Sequence, residues 1–472
     1  MKREIVGPLI VSVVFLALLA GFASKSLSQS ALQPGFHPVR FLQSDDVTQN
    51  PQNAKNSADA EAMYAEGLSL LRKYYYGSIG ENKTRQLTYD AIRGMLLTLH
   101  DPFTSFLDPD EWLQFQETTT RGDFEGIGTM LRADPPRIIV DEVIEGGPAE
   151  HVGMKAGDVI TRVNNTSVVG MDINDVVKLI KGPAGTKVRI TVARGNKTIE
   201  FTITRARVEP PVVKYWMEDP KYKIGHIYLS EFNEKSLEQL NKAFSALQAQ
   251  GMRALVFDLR SDPGGLLEKA VEIASIFIPK NSVPALHNNV VIIHEGDGQE
   301  QGRKLENVDT PYKHRVPLVV LVNDSSASAS EIVTGAIKDY GAGTIIGQRT
   351  YGKGCVQTLF QLDDGSCLRL TTALYYPPKH YDINYQQDEN HNRIPGTGGI
   401  LPDIEVLPEP NWQGLNDKAH DKQLQAALTF LRDRLNGMSV AQATAAVKEA
   451  FSPKTTAEAA KSATTSSTTG GK

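Results

Sequence analysis

The residues of this chain best suited to bond-breaking chemistry are a serine-rich turn, Ser326-Ala327-Ser328-Ala329-Ser330-Glu331, and a lysine set between glycines, Tyr351-Gly352-Lys353-Gly354. A serine hydroxyl is a weak nucleophile until a base takes its proton. A lysine serves as that base only when neutral, and near pH 7 it is neutral only when desolvation lowers its pKa. Small neighbours let a substrate backbone approach the serine, and glycines on both sides of Lys353 allow a sharp turn. Together the two pieces read as a serine–lysine hydrolase, a variant of the Ser-His-Asp arrangement.

These residues need elements to hold them. The apolar, β-branched run 317–322 predicts a buried strand, Asn323-Asp324-Ser325 a turn, and 330–340 a helix with Glu331 in its first turn. The serines then lie on a strand-to-helix turn, where backbone N–H groups and the helix dipole favour an anion.

The motifs SASASEI, KDYG and GKGCVQ resemble the signature of carboxyl-terminal processing proteases, the tail-specific serine peptidases. The resemblance runs from about residue 60 to 407. It implies Ser328, the middle serine, as nucleophile, Lys353 as base, and Gln357 as the residue that orients the amine. In a strand, positions 353, 355 and 357 share a face, so Gln357 is expected to hydrogen-bond Lys353. The stretch Asp258-Leu259-Arg260-Ser261-Asp262-Pro263-Gly264-Gly265 is similar to the family's "DLRNNPGG" element, with Ser261-Asp262 in place of Asn-Asn. The resemblance points to an oxyanion hole made of a backbone N–H from Gly264 or Gly265 together with that of Ala329; the residues leave the choice between the glycines open. The family's "TPSG-R" stretch is replaced here by Pro377-Pro378-Lys379-His380-Tyr381.

From residue 121 to 207 the chain changes character. Phe124-Glu125-Gly126-Ile127-Gly128 is followed by alternating strands, a Gly-Pro-Ala turn and Gly157-Asp158-Val159-Ile160, with a helix expected over 172–181. This looks like a PDZ domain, a module that takes a peptide C-terminus as an added strand and captures its carboxylate with backbone N–H groups. Gly126, Ile127 and Gly128 fall where the family's carboxylate loop lies. Val177 and Ile180 are candidates for the groove wall and equally for the core.

The 472 residues carry a formal net charge of −5, which implies no nucleic-acid partner. No nucleotide-binding loop and no metal-ligand spacing of Cys or His is present, so neither cofactor nor metal is expected. Lys2 and Arg3 precede an apolar stretch from about 5 to 23, which reads as a signal peptide or an uncleaved anchor. The protein is expected to be exported, periplasmic or otherwise extracytoplasmic, with its N-terminus at the membrane if the anchor stays. Expected partners are protein C-termini as substrates; an adaptor or activating lipoprotein is left open.

The expected organisation is a signal or anchor (1–28), a linker (29–59), a helical N-terminal region (60–120), the PDZ domain (121–207), the catalytic domain (208–412), a C-terminal helix (413–437, its core at 417–435) and a low-complexity tail (438–472). The aromatics of the Pro-flanked turn 101–109 are read as packing. Asp363-Asp364-Gly365 is expected to close a hairpin that sets Cys367 near Gln361 and Cys355 near Ala373, too far apart for a disulfide. The fold class is α/β multidomain: a crotonase-like ββα-spiral serine protease core, as the resemblance implies, with an inserted PDZ domain and a helical N-terminal region. Two other readings compete, a catalytically silent PDZ scaffold for exported protein tails and a crotonase-type acyl enzyme.

Overall fold

The structure, a computed structural model, describes residues 57–295, 303–306, 308, 316–412 and 414–451. The expected signal or anchor, most of the linker and the end of the tail lie outside the described residues. No helix of the described residues is long and apolar enough to cross a membrane.

The N-terminal region comprises α1 (Ser57–Tyr74), α2 (Glu81–Leu97), β1 (Ser105–Leu107) and α3 (Pro109–Phe115). Asp108 starts α3 with a capping box: its carboxylate accepts from the N–H groups of Asp110 and Glu111, and Glu111 accepts from the Asp108 N–H.

A short π-helical turn, Gln116–Arg121, leads into the next unit. There follow β2 (Phe124–Gly126), β3 (Thr129–Asp134), β4 (Arg137–Val143), α4 (Pro148–His151), β5 (Val159–Val163), β6 (Thr166–Ser167), α5 (Ile173–Ile180), β7 (Lys187–Arg194), β8 (Lys197–Thr204) and β9 (Ala206–Val208). The sheet runs β3-β4-β5-β7-β8 with β6 on β5, and its pairs are antiparallel. In β7 the residues alternate exposed and buried, as one covered sheet face requires. The inward set, including Ile138, Val140, Ile160, Ile190 and Val192, forms a core of its own with Val176 and Ile180 of α5. Strands β2 and β9 pair with each other, Phe124 opposite Val208, and make a two-stranded stem through which this unit is inserted.

The remaining elements are β10 (Val213–Asp219), β11 (Ile224–Leu229), α6 (Ser236–Ala249), β12 (Ala254–Asp258), α7 (Leu267–Phe277), β13 (Asn289–Glu295), β14 (Arg303–Glu306), β15 (Leu318–Val322), α8 (Ala329–Asp339), β16 (Thr344–Gly347), β17 (Cys355–Gln361), β18 (Cys367–Tyr376), β19 (Ile404–Glu405), α9 (Lys422–Leu435) and α10 (Val440–Phe451). One sheet runs β10-β11-β12-β15-β16-β19, parallel from β11 onward. Every residue of β12 and β15 is buried, because helices cover both faces. On one side Phe257 and Val320 meet residues of α6, α7 and α8; on the other Val256 and Val319 meet Leu424, Phe430 and Leu431 of α9. A second sheet, β1-β18-β13-β14 with β17 on β18, stands beside it and draws β1 of the N-terminal region into the catalytic half.

Two expectations are corrected. The C-terminal helix starts at Lys422 and not near 417, because Asp421 caps it by accepting from the Leu424 N–H. The stretch 438–472 is not low-complexity throughout: α10 occupies its first part, with Ala443 and Val447 four residues apart on one face, buried against α9. An alanine-rich composition suits a helix as well as a tail, and only the buried face tells them apart. The cysteines fall as expected: along the β17–β18 hairpin Cys367 opposes Gln361, and Cys355 opposes Leu374, next to Ala373, the register shifting between Val356 and Gln357. Both cysteines are free thiols.

Candidate active site

Parallel strands all end on the same side, so the loops that follow neighbouring strands meet there. Here β12, β15 and β16 lie side by side. Their following loops carry Asp262 to Gly265, Asn323 to Ser328, and Arg349 to Gly354. Hydrogen bonds stitch the loops together. The Asp262 carbonyl accepts from the Ala327 N–H at 3.0 Å and the Ser330 Oγ at 2.9 Å. Ser326 Oγ donates to the Leu259 carbonyl at 2.7 Å, and the Tyr351 N–H donates to the Ser326 carbonyl at 2.9 Å. Of the three serines, the outer two are therefore structural, and Ser328 is the one left half-exposed.

Ser328 precedes α8 with φ 57° and ψ −114°. A side chain at positive φ is held in a strained backbone conformation. The strain is kept by Glu331, whose fully buried carboxylate binds four donors: the Ser328 N–H at 2.9 Å, Thr350 Oγ1 at 2.6 Å, the Gly352 N–H at 2.7 Å and the Lys353 N–H at 2.8 Å. Burial raises the Glu331 pKa, and these hydrogen bonds pull against it. One carboxylate thus fixes the backbone of both the serine and the lysine. Tyr375 adds a second tie, its hydroxyl 3.0 Å from the Ser328 carbonyl and 2.5 Å from that of Lys353.

The Lys353 ammonium lies 5.0 Å above the Phe103 ring. Burial lowers its pKa, as the sequence reading requires. Its Nζ makes no hydrogen bond to Ser328 Oγ. Gln357 does not hold the lysine. Its amide donates to Cys355, at 3.1 Å to Sγ and 3.4 Å to the carbonyl. Strand alternation does put 355 and 357 on one face, but β17 begins only at Cys355, so the alternation does not extend to Lys353.

The two glycines divide the oxyanion question. The Gly264 N–H is spent on Asp262 Oδ1 at 2.8 Å. Around Gly265, the Phe232 N–H donates to the Gly264 carbonyl and the Leu266 N–H to the Phe232 carbonyl. That leaves the Gly265 and Ala329 N–H groups without an acceptor among the described residues. Gly264 matters through what it lacks: a Cβ there would stand 2.7 Å from the Ala329 nitrogen and 2.8 Å from the Ser328 Cβ. Asp262, the departure from Asn, is fully buried, and burial pushes its pKa well above the usual carboxylate range.

In the inserted domain the loop Gly126–Gly128 is anchored by its carbonyls: Ile127 accepts from the Ala149 N–H at 2.8 Å and Gly128 from the Ile144 N–H at 3.0 Å. The Ile127 side chain is core, so any ligand contact there is through backbone. The loop opens into β3, which among the described residues pairs only with β4 and leaves its other edge without a strand. Val177 is half-buried and Ile180 buried.

Sequence reasoning missed Glu331 and Phe103 as site residues. Glu331 follows Ser328 in a Ser-x-x-Glu capping pattern, a signal that was present. Phe103 was read as packing, and its T-shaped contacts with Tyr351 and Tyr385 are packing. What sequence could not show is that the same ring lies under the lysine.

The profile of peptidase family S41 matches residues 223–406, and that of the PDZ domain matches 139–194. The carboxy-terminal processing protease CtpA of Bacillus subtilis (strain 168) is 36% identical over 365 residues, covering 75% of this chain and 74% of that protein. The carboxyl-terminal-processing protease of Synechocystis sp. (strain ATCC 27184 / PCC 6803 / Kazusa) is 33% identical over 370 residues, covering 77% of this chain and 80% of that one. Among solved structures, the photosystem II D1 C-terminal processing protease is similar at 31% identity and a TM-score of 0.42, over 76% of this chain and 90% of that one.

Proposed function

Because this chain belongs to peptidase family S41 and is a PDZ-containing serine protease of the carboxyl-terminal-processing kind, we propose that it is an exported endopeptidase that reads the C-termini of proteins with its PDZ domain and cleaves near them through Ser328 and Lys353. The alternatives of a silent scaffold and an acyl-coenzyme enzyme fall away with that membership. The observation that carries the catalytic assignment is the Glu331 clamp, which fixes the backbone of a strained, half-exposed serine and of a lysine whose pKa burial lowers.

Neutral Lys353 leaves the Phe103 ring, takes the Ser328 hydroxyl proton, and Ser328 Oγ attacks the substrate carbonyl. The developing oxyanion is received by the N–H groups of Gly265 and Ala329, at the positive end of α8. Lys353 then delivers its proton to the leaving amine, and water resolves the acyl-enzyme. Gln357, through its bonds to Cys355 two residues beyond the lysine, steadies the start of β17 and carries no proton. A substrate tail adds to the free edge of β3, its terminal carboxylate bonded by the loop Gly126–Gly128. Export rests on the basic residues and apolar stretch at the N-terminus.

The test is acyl-enzyme trapping. The purified protein is mixed with an unstructured depsipeptide that has an ester in place of the scissile amide and a free, apolar C-terminus, quenched in acid and mapped by mass spectrometry. Acylation at Ser328 is expected. Acylation at another residue, or turnover with no Ser328 adduct and unimpaired by Ser328→Ala, would overturn the assignment.

A further inference from the structure

Arg369 of β18 is a cation with no acid beside it. The residue is half-buried, and its Nε is buried without a hydrogen-bond partner. Among the described residues the guanidinium makes no ion pair. It lies over the Phe115 ring, 5.9 Å from the centroid. A ring face attracts the charge but offers no lone pair to the five N–H donors. Asp101 attracts Arg369 from a distance, yet its oxygens are engaged, accepting from the Phe103 N–H at 2.9 Å and from Thr104 Oγ1 at 2.7 Å. Arginines withdrawn from water are normally paired, so this one calls for an anion. Two more donors on the same face share its condition. Ser105 of β1 stands directly opposite Arg369, and Thr371 lies two residues along β18. Opposed residues of an antiparallel pair, and alternate residues of one strand, point to the same face. Ser105 Oγ and Thr371 Oγ1 are both buried without a hydrogen-bond partner; beside Thr371 is only the weak acceptor of the Cys355 thiol. A single orphaned polar atom is ordinary in a folded protein. Three neighbouring groups that can all donate, one of them charged, form a cradle for an anion.

The cradle adjoins Lys353. Two residues before Ser105 comes Phe103, whose ring lies under the lysine. The Thr371 N–H donates to Thr104 Oγ1 at 3.0 Å, which ties the strand carrying Arg369 to the same turn. Across the hairpin Thr371 opposes Gln357, four residues beyond the lysine. The Arg369 charge also helps to hold the Lys353 pKa down. Glu331, the carboxylate that acts on Lys353, is committed to its four donors. The anion must therefore come from outside the chain. Next to the cleavage site of a peptidase the incoming molecule is a polypeptide, and its anions are carboxylates. A planar guanidinium flanked by hydroxyls suits a carboxylate, which it can bind through two parallel N–H bonds.

We propose that Arg369, with the hydroxyls of Ser105 and Thr371, forms a subsite for an Asp or Glu side chain of the substrate, so that the enzyme prefers an acidic residue near the bond it cuts. The substrate's terminal carboxylate goes elsewhere, to the loop Gly126–Gly128. This subsite rests on Ser328 and Lys353 being the cleavage site.

Unstructured peptides that differ only in one Glu, or Gln in its place, test this, the residue being moved one position at a time and each peptide made with a free and with an amidated C-terminus. The readout is the ratio of kcat/KM for the Glu peptide to that for its Gln partner. At one position the wild type is expected to favour Glu by roughly ten- to hundredfold, with either C-terminus. Arg369→Gln should bring the ratio to unity, and Arg369→Lys should restore part of it. Ser105→Ala should lower it by roughly two- to tenfold. Each ratio compares two peptides in one enzyme, so any change in overall rate that reaches Lys353 cancels, and circular dichroism checks folding. A second arm needs no catalysis: fluorescence anisotropy with the Ser328→Ala protein should show the same Glu-over-Gln difference in dissociation constant, lost when Arg369→Gln is added. Failure of the Ser328 assignment shows in the trapping experiment and leaves this arm intact. No preference for Glu at any position, or a preference that survives Arg369→Gln, would overturn the subsite. An Arg369-dependent preference for a free over an amidated C-terminus, with none for Glu, would overturn the side-chain assignment and give the cradle to the chain's end.

Discussion

The PDZ domain and the catalytic core build their proposed sites from different materials. The proposed tail-reading site is made of main chain: the unpaired edge of β3 among the described residues and the N–H groups of the loop Gly126–Gly128, on a sheet whose buried side chains form a core of their own. The proposed cleavage site is made of side chains on loops, and those loops hold their shape because buried polar groups fix them. Glu331 alone ties two loops with four hydrogen bonds. A site of backbone donors tolerates side-chain change, whereas a site hung on one buried carboxylate fails when that carboxylate is altered. Variants in the two regions should therefore differ in kind: binding losses in the first, losses of turnover in the second.

The largest effects should come from the reacting groups. Ser328→Ala and Lys353→Ala are each expected to remove peptide cleavage while the melting curve stays close to wild type; measurable wild-type-like turnover in either would break the catalytic side of the comparison. Ser330→Ala should leave turnover largely in place, with a stability loss of about 1–3 kcal/mol, because its hydroxyl bonds the buried Asp262 carbonyl.

Next comes Glu331. Glu331→Gln keeps the shape but replaces one acceptor oxygen with a donor facing the N–H groups it should bind. Turnover is expected to fall at least a hundredfold, about 3 kcal/mol in the barrier, with little change in KM. An equal rise in KM with kcat unchanged would place Glu331 in binding and not in positioning the nucleophile and base.

The tail-reading side is tested by amidating the substrate C-terminus. Removing that charge should cost on the order of 1.5–3 kcal/mol, about one to two decades in kcat/KM. Equal cleavage of acid and amide peptides would mean that the loop Gly126–Gly128 does not read a carboxylate.

A subtler effect concerns the lysine. Burial lowers the Lys353 pKa, so activity should rise as pH increases through it. The Phe103 face attracts the protonated ammonium and opposes that lowering. Phe103→Leu keeps the pocket apolar but removes the attraction, so the rising limb of the pH–rate profile should move to lower pH. A profile that falls in height without moving would reduce Phe103 to packing.

The smallest expected effect lies beneath the site. Burial disfavours a charged His226, but hydrogen bonding with Asp258 and Glu218 outweighs it and raises its pKa. A raised folded-state pKa stabilises fully below the unfolded value of about 6.5 and is lost as pH climbs through the folded value. Thermal stability should thus decline above neutrality in wild type, and His226→Gln should flatten that slope. An identical slope in both proteins would sever His226 from it.

The sequence by itself determined the order of the parts, the strands and their helices, the PDZ signature and the positions of Ser328 and Lys353. Those rest on local periodicity, on turn residues, and on spacing that survives without knowing what packs where. The run 317–322 had to be a buried strand, and β15 is buried throughout. Tertiary structure decided what depends on contacts between distant residues. It spent the Gly264 N–H on Asp262 and left that of Gly265 without an acceptor among the described residues. It turned Gln357 to Cys355 and away from Lys353. It put Phe103, some 250 positions upstream, under the lysine by pairing β1 with β18, and it gave α10 a face to bury where composition alone suggested a tail. A strand's burial is written in its own residues. The partner of a hydrogen-bond donor is fixed only when the whole chain has brought the competing acceptors within reach.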